Sequence, residues 1–176
     1  MRIRTVKFNF IMNAILTVSS ILFPLITFPY ISRVLLVEGS GKVAFATSVV
    51  SYFTMFATLG IPTYGIRECA RVRDNKEELS RMVQELLIIS GITTAITYGV
   101  FFLLLFVVPQ FRGQKELLIV IGASIGLTTI GVQWFYSALE QYSYITVCAV
   151  LFKIIGLILM FLLVKKPEDY VIYGAV

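Results

Sequence analysis

Cationic side chains are the residues of this sequence best placed to do chemistry. Lys153 stands inside an otherwise charge-free run, residues 141–164, about 12 residues from either end. An ammonium at that depth in hydrocarbon costs at least about 2.5–3.5 kcal/mol, so it is expected to face a bundle interior or a wet cavity. With no acidic partner on its own helix it can attract an anionic ligand; it can equally pair with a carboxylate elsewhere in the fold. Arg33 closes the first apolar run. It can snorkel to the membrane surface, or turn inward and offer its planar fork to phosphate. Before it, Pro24 and Pro29 in FPLITFPYISR each remove a helical hydrogen bond and favour a bend. A hinge suits a protein that opens and closes around a cavity, although prolines are also commoner in membrane helices than in soluble ones.

Other chemistries lack their residues. There is no histidine, which removes imidazole bases, Ser-His triads and His-ligated metals together. Cys69 lies in a charged stretch and Cys148 in an apolar one, with no CxxC pair to hold zinc or run redox chemistry. The expectation is no catalytic residue, no metal and no cofactor.

The cations can act only if the runs between them are helices in a bilayer, and the composition requires that. The chain of 176 residues is 58% hydrophobic and 14% charged, against roughly 45–50% and about 25% in soluble proteins. Fifteen Lys and Arg with ten Asp and Glu cannot coat such a chain in water. An ordinary cytosolic enzyme, a disordered tail and a secreted disulfide scaffold are all excluded. A net charge of +5 would raise nucleic-acid binding for a soluble protein. Here the basic residues sit between apolar runs, where membrane topology and anionic headgroups account for them, and no nucleic-acid partner is expected.

A spanning helix needs about 20 apolar residues, and the charges mark out such segments. The reading is an all-α, polytopic membrane bundle with five complete spans at about 8–32, 43–63, 86–108, 117–138 and 144–164, and the start of a sixth at 170–176. The last run is too short to cross, so the chain reads as a fragment of a longer protein; a five-span protein with a short tail is the alternative. The first run is too long for a signal-peptide core and lacks a small-residue cleavage site, so it stays. With the N-terminus inside, eight basic residues (Arg2, Arg4, Lys7, Arg67, Arg71, Arg73, Lys76 and Arg81) face the cytoplasm, against six outside, in the sense of the positive-inside rule.

Between the spans, Gly39 and Gly41 in VEGSGK suggest a tight connection. Residues 64–85 read as an amphipathic connecting helix on the inner membrane face. Asp74 with Glu77 resembles a capping box, and Glu77–Arg81 and Glu68–Arg71 stand at pairing distance along a helix. Gly122, Gly126 and Gly131, with Ala123 and Ser124, suit close helix approach. Trp134, Phe135 and Tyr136 read as an interfacial belt; Gln133 beside them can face a cavity and bind a sugar hydroxyl.

The stretch FPLITFPYISRVLLVEGSGKVAFATSVVSYF, then LGIPTYGIRECARVRDNKEELS, WFYSALEQYSYIT and KKPEDY, resembles the start of Wzx-like polysaccharide flippases. These are O-antigen, capsule and teichuronic-type exporters of the multidrug/oligosaccharidyl-lipid/polysaccharide superfamily. The resemblance spans essentially the whole chain. It implies that residues 1–176 are the N-terminal lobe of a two-lobe transporter whose C-terminal lobe is absent. It further implies translocation of an undecaprenyl-diphosphate-linked oligosaccharide across the bacterial cytoplasmic membrane for surface polysaccharide biosynthesis, with polysaccharide polymerase and glycosyltransferases as partners beside membrane lipid. On that resemblance Arg33, Lys153 and Arg67 are the candidates for the lipid diphosphate, and Pro24 and Pro29 for the hinge. Leu36 and Ser40 depart from a VLGVEGYG-like family turn, replacing its first Gly and its Tyr. A drug/cation antiporter of the same superfamily would want an intramembrane carboxylate, and the five spans hold no Asp or Glu. A membrane enzyme would want a long outer loop with acid/base residues, also missing. An inactive membrane fragment is the remaining alternative.

Overall fold

A long apolar run in hydrocarbon can satisfy its peptide groups only by coiling on itself, and every run identified above does so. The computed structural model describes residues 6–176; Arg2 and Arg4, counted above on the inner side, lie outside the described residues. Among the described residues there is no strand. The elements are α1 (Val6–Val34), α2 (Leu36–Thr58), α3 (Ile61–Arg71), α4 (Lys76–Val107), α5 (Pro109–Arg112), α6 (Lys115–Ile130), α7 (Gln133–Ala138), α8 (Tyr142–Leu163), a single 3₁₀ turn (Pro167–Asp169) and α9 (Tyr170–Ala175). Five stretches are long and apolar enough to cross a membrane: Lys7–Val34, Leu36–Arg71, Lys76–Val107, Lys115–Ala138 and Tyr142–Leu163. The protein is an all-α polytopic bundle.

Three local expectations are corrected. The connection placed at Gly39 and Gly41 is helical, and the chain turns earlier, at Leu35–Leu36. Leu36 takes φ +57°, a left-handed conformation that costs a side chain about 1–2 kcal/mol. Gly39 serves packing instead: a Cβ there would lie 3.1 Å from Leu35 Cβ and 3.3 Å from the Pro167 carbonyl. Lys42 reaches back one turn to Glu38 at 2.7 Å, which favours helix through this segment. Second, the α4 cap is Asn75, not Asp74; its side chain accepts from the N–H groups of Glu77 and Glu78 at 3.1 and 3.4 Å. Arg81 pairs forward with Glu85 at 2.9 Å. Third, the fourth span is broken at Gly131–Val132, where Val132 has φ +34°, so α6 and α7 are separate rods.

The chain divides into two units. In residues 6–46 with 140–176, α1 and α8 run parallel. Thr146 Oγ1 donates to the Met12 carbonyl at 3.0 Å, Lys153 Nζ to Ser19 Oγ at 3.0 Å, and Tyr30 OH to the Val164 carbonyl at 2.8 Å. All three join residues 134 positions apart, so the helices stay in one register along their contact. Ile31, Leu35, Met160 and Val164 are buried around its far end.

In residues 47–139, α4 buries a stripe of Leu86, Ser90, Thr94, Thr97, Phe101 and Leu105. Polar side chains join it to its neighbours. Thr93 Oγ1 donates to the Ala57 carbonyl at 2.7 Å, and Thr94 bonds Thr129 at 2.8 Å. The expected close approach holds for Gly122 and Gly126, whose added Cβ atoms would each lie 3.0 Å from Phe101 or Tyr98. It does not hold for Gly131, which meets only its own α6 carbonyls.

Asp169 ties off the link after α8, its Oδ2 accepting from the N–H groups of Lys165 and Lys166 at 2.9 and 2.8 Å. Those two donors hold its carboxyl below the usual carboxylate range. A depressed folded value means stabilisation that is complete above the unfolded pKa, about 3.9, and lost as pH falls through the folded one. The melting-temperature gap between wild type and Asp169→Ala in micelles is therefore expected to be constant at neutral pH and to close below about pH 4. Leu36→Gly, which relieves the left-handed leucine, is expected to raise stability by about 1 kcal/mol in the same assay.

Candidate functional site

Lys153 lies 11 residues after Tyr142 and 10 before Leu163, which at 1.5 Å per residue puts it about 15 Å from either helix end. Its Nζ donates to Ser19 Oγ at 3.0 Å and Ser20 Oγ at 2.8 Å. Both hydroxyls spend their own protons on the Leu16 carbonyl, at 2.7 and 2.9 Å, so their oxygens are left as acceptors facing the ammonium. The Phe23 ring adds a cation–π contact, with Nζ 5.8 Å from its centroid. No carboxylate pairs with Lys153 among the described residues. The ammonium is half-buried and held by neutral oxygens and a ring face. It lines an open groove of about 350 Å³ with Phe23, Thr27, Gly156 and Tyr173.

Pro24 and Pro29 lie within a continuous α1. Pro24 has no N–H to give the Ser20 carbonyl, and Pro29 none for Leu25. The helix therefore lacks one rung beside the lysine's own acceptor. Arg33 is exposed at the end of α1 and has no hydrogen-bond or ion-pair partner among the described residues. It stands 13 residues beyond Ser20, about 20 Å along the helix, too far for one diphosphate to touch both Arg33 and Lys153. Arg67 lies on α3 in the other unit, 3.4 Å from Glu68, which also takes Arg71 at 3.8 Å. Within their unit Arg33 and Lys153 do not share a pocket, and of the two Lys153 has a built surrounding.

Sequence reasoning missed Ser19, Ser20 and Phe23. Adjacent serines four residues ahead of a proline inside a span were the available signal. It also placed Trp134 in an interfacial belt. Instead Trp134 is 7% exposed in a cluster with Ile61, Cys69, Leu86 and Ala138, against which Phe135 packs. Its ring lies over Gly65, where a Cβ would stand 2.6 Å from it. The amphipathic connecting helix expected over residues 64–85 is not one element. Instead α3 covers Ile61–Arg71, with Ile61, Gly65 and Cys69 on its buried side, and the residues from Lys76 on already belong to α4, because Asn75 caps a new helix there.

The sequence profile of the family described as "Polysaccharide biosynthesis protein" matches residues 6–176. Two curated relatives, from Escherichia coli (strain K12) and Shigella dysenteriae, both carry the name "Putative O-antigen transporter". They are 23% and 26% identical to this chain over 94% of its length, and the matches cover 40% and 41% of theirs. The chain thus spans about two fifths of these relatives. No solved structure matches it.

A lysine kept at mid-span for a ligand carries a cost in stability that a purely structural one would not. Lys153→Met is expected to leave the melting midpoint in micelles unchanged or raised. The double variant Ser19→Ala/Ser20→Ala strips the ammonium of its acceptors, and is expected to lower stability by about 1 kcal/mol.

Proposed function

This chain belongs to the polysaccharide biosynthesis protein family, and from that premise we propose that it forms the N-terminal lobe of a membrane transporter for a lipid-linked saccharide. The cargo we propose is an undecaprenyl-diphosphate-linked oligosaccharide, carried across the bacterial cytoplasmic membrane for surface polysaccharide assembly. The N-terminus would face the cytoplasm, and the enzymes that build and polymerise the glycan would be its partners. The relatives are named as transporters, not enzymes.

The observation that carries this reading is Lys153. Hydrocarbon tolerates an ammonium only where the site repays it, and two hydroxyls with one ring face leave a net positive charge beside an open groove. A diphosphate is the complementary group. As it arrives, the ammonium can exchange a neutral hydroxyl acceptor for an anionic oxygen, a charge-assisted bond about twice as strong. The serines then hold the cation in place between loads. No bond in the cargo is made or broken, so the lobe needs to bind, orient and release. Arg33, about 20 Å away along α1, would act apart from Lys153, and Arg67 on α3 is the third cation of the proposal. They would meet the charged headgroup near a membrane surface, before or after it passes the mid-span lysine.

In a strain whose surface polysaccharide depends on this protein, Lys153→Ala is expected to cut surface polysaccharide about tenfold at unchanged protein level, with lipid-linked precursor accumulating. Tenfold corresponds to about 1.4 kcal/mol of lost interaction. Lys153→Arg, which keeps the charge, is expected to retain most export. Normal export by Lys153→Ala would sink the anion site.

A further inference from the structure

The second unit holds an open groove of about 510 Å³ where α3 meets the break between α6 and α7. Its polar lining is neutral: Ser124, Thr128, Gln133 and Ser137, with Trp134 and Pro62 as apolar walls and no ionisable side chain. Thr128 and Ser137 give their protons to the carbonyls of Ser124 and Gln133, at 2.7 and 3.1 Å, leaving two hydroxyl oxygens as acceptors. The Ser124 hydroxyl and the Gln133 amide have no bonding partner among the described residues. Together the four present both donors and acceptors over a small area.

Depth matters here. The break at Gly131 lies 16 residues from Lys115, about 24 Å along α6, close to the far side of a hydrocarbon core of about 30 Å. The amphipathic α3 closes the same end of the unit, with Trp134 buried against Gly65. Ser124, Thr128 and Gln133 are exposed, so the free hydroxyl and amide are open to hydrogen bonds from a ligand in the groove. With no cation in the lining, a phosphate finds no counter-charge, whereas a neutral sugar, which both gives and takes hydrogen bonds, matches the whole set.

We propose that this groove is a carbohydrate site, taking the sugar headgroup of a membrane lipid at the level of the bilayer surface. That the sugar belongs to a transported cargo rests on the reading given under Proposed function; the binding itself does not.

Trp134 is the single tryptophan and a wall of the groove, so its fluorescence reports occupancy directly. The test places the full chain in phosphatidylcholine nanodiscs doped with a neutral glycolipid, diglucosyl diacylglycerol, or with phosphatidylglycerol. A saturable emission change is expected with the glycolipid and not with phosphatidylglycerol. Ser124→Ala and Gln133→Leu, each conservative in size, are expected to raise the half-saturating glycolipid fraction about fivefold. An equal response to phosphatidylglycerol, no response to the glycolipid, or wild-type saturation in both groove variants would each overturn the site. Those results leave the export phenotype of Lys153→Ala untouched, so failure of the groove and failure of the transport reading are told apart.

Discussion

Hydrocarbon offers no hydrogen bonds, and that constraint organises this protein at two levels. At the first, every long apolar run must be helical, because the peptide groups can find partners only within the run. At the second, side chains that are still polar must find their partners on a neighbouring helix. Much of that bonding is to carbonyls already serving a helix, through the oxygen's second lone pair. Thr146 takes the Met12 carbonyl, Tyr30 that of Val164 and Thr93 that of Ala57. Tyr98 goes further: its hydroxyl lies 2.9 Å from the Gly126 N–H and 3.0 Å from the Gly122 carbonyl, the two groups that one rung of α6 would join. In lipid, where apolar surface gives little preference for one neighbour over another, such contacts and small residues set register. The constant offset between α1 and α8 follows from three of them.

Lys153 departs from this economy. Every other side chain in the α1–α8 contact named above is neutral, and its bonds close locally. The ammonium's bonds do not close, because hydroxyl oxygens leave its charge uncompensated. A stable bundle would place methionine there and lose nothing in packing. That a cation stands there, steadied by two serines whose protons are committed elsewhere, is the kind of local conflict that structures keep for function. The helix breaks follow the same logic. Non-helical backbone at membrane depth needs protein or water around it, and the interruption after Ile130 sits against α3 and a polar groove instead of an unbroken wall of apolar side chains.

Most of the fold was legible because charge spacing is a local signal. Lys7 with Arg33, and Glu116 with Glu140, bracket runs of bilayer length, and α1 (Val6–Val34) and α6 with α7 (Lys115–Ala138) begin and end within two residues of those charges. Glycine was a poorer guide. Gly39 and Gly41 look like a turn in one dimension; in three, Gly39 is small because Leu35 and Pro167 approach it, and the turn falls on Leu36. Trp134 misled in the same way, since an aromatic cluster near a span end reads as a headgroup anchor until Gly65 is found beneath the indole.

Taken alone, the sequence determined that the chain is a polytopic helical bundle with five runs long enough to cross a bilayer, and that one lysine stands within the last of them. Those are properties of consecutive residues measured against the thickness of a bilayer. The tertiary structure decided what the lysine touches, that Arg33 stands away from it along α1, and that a neutral groove forms at the broken fourth span. Those depend on which helix lies beside which, in what register. Contacts between residues 134 positions apart are set by packing, and leave no mark in the spacing of charges.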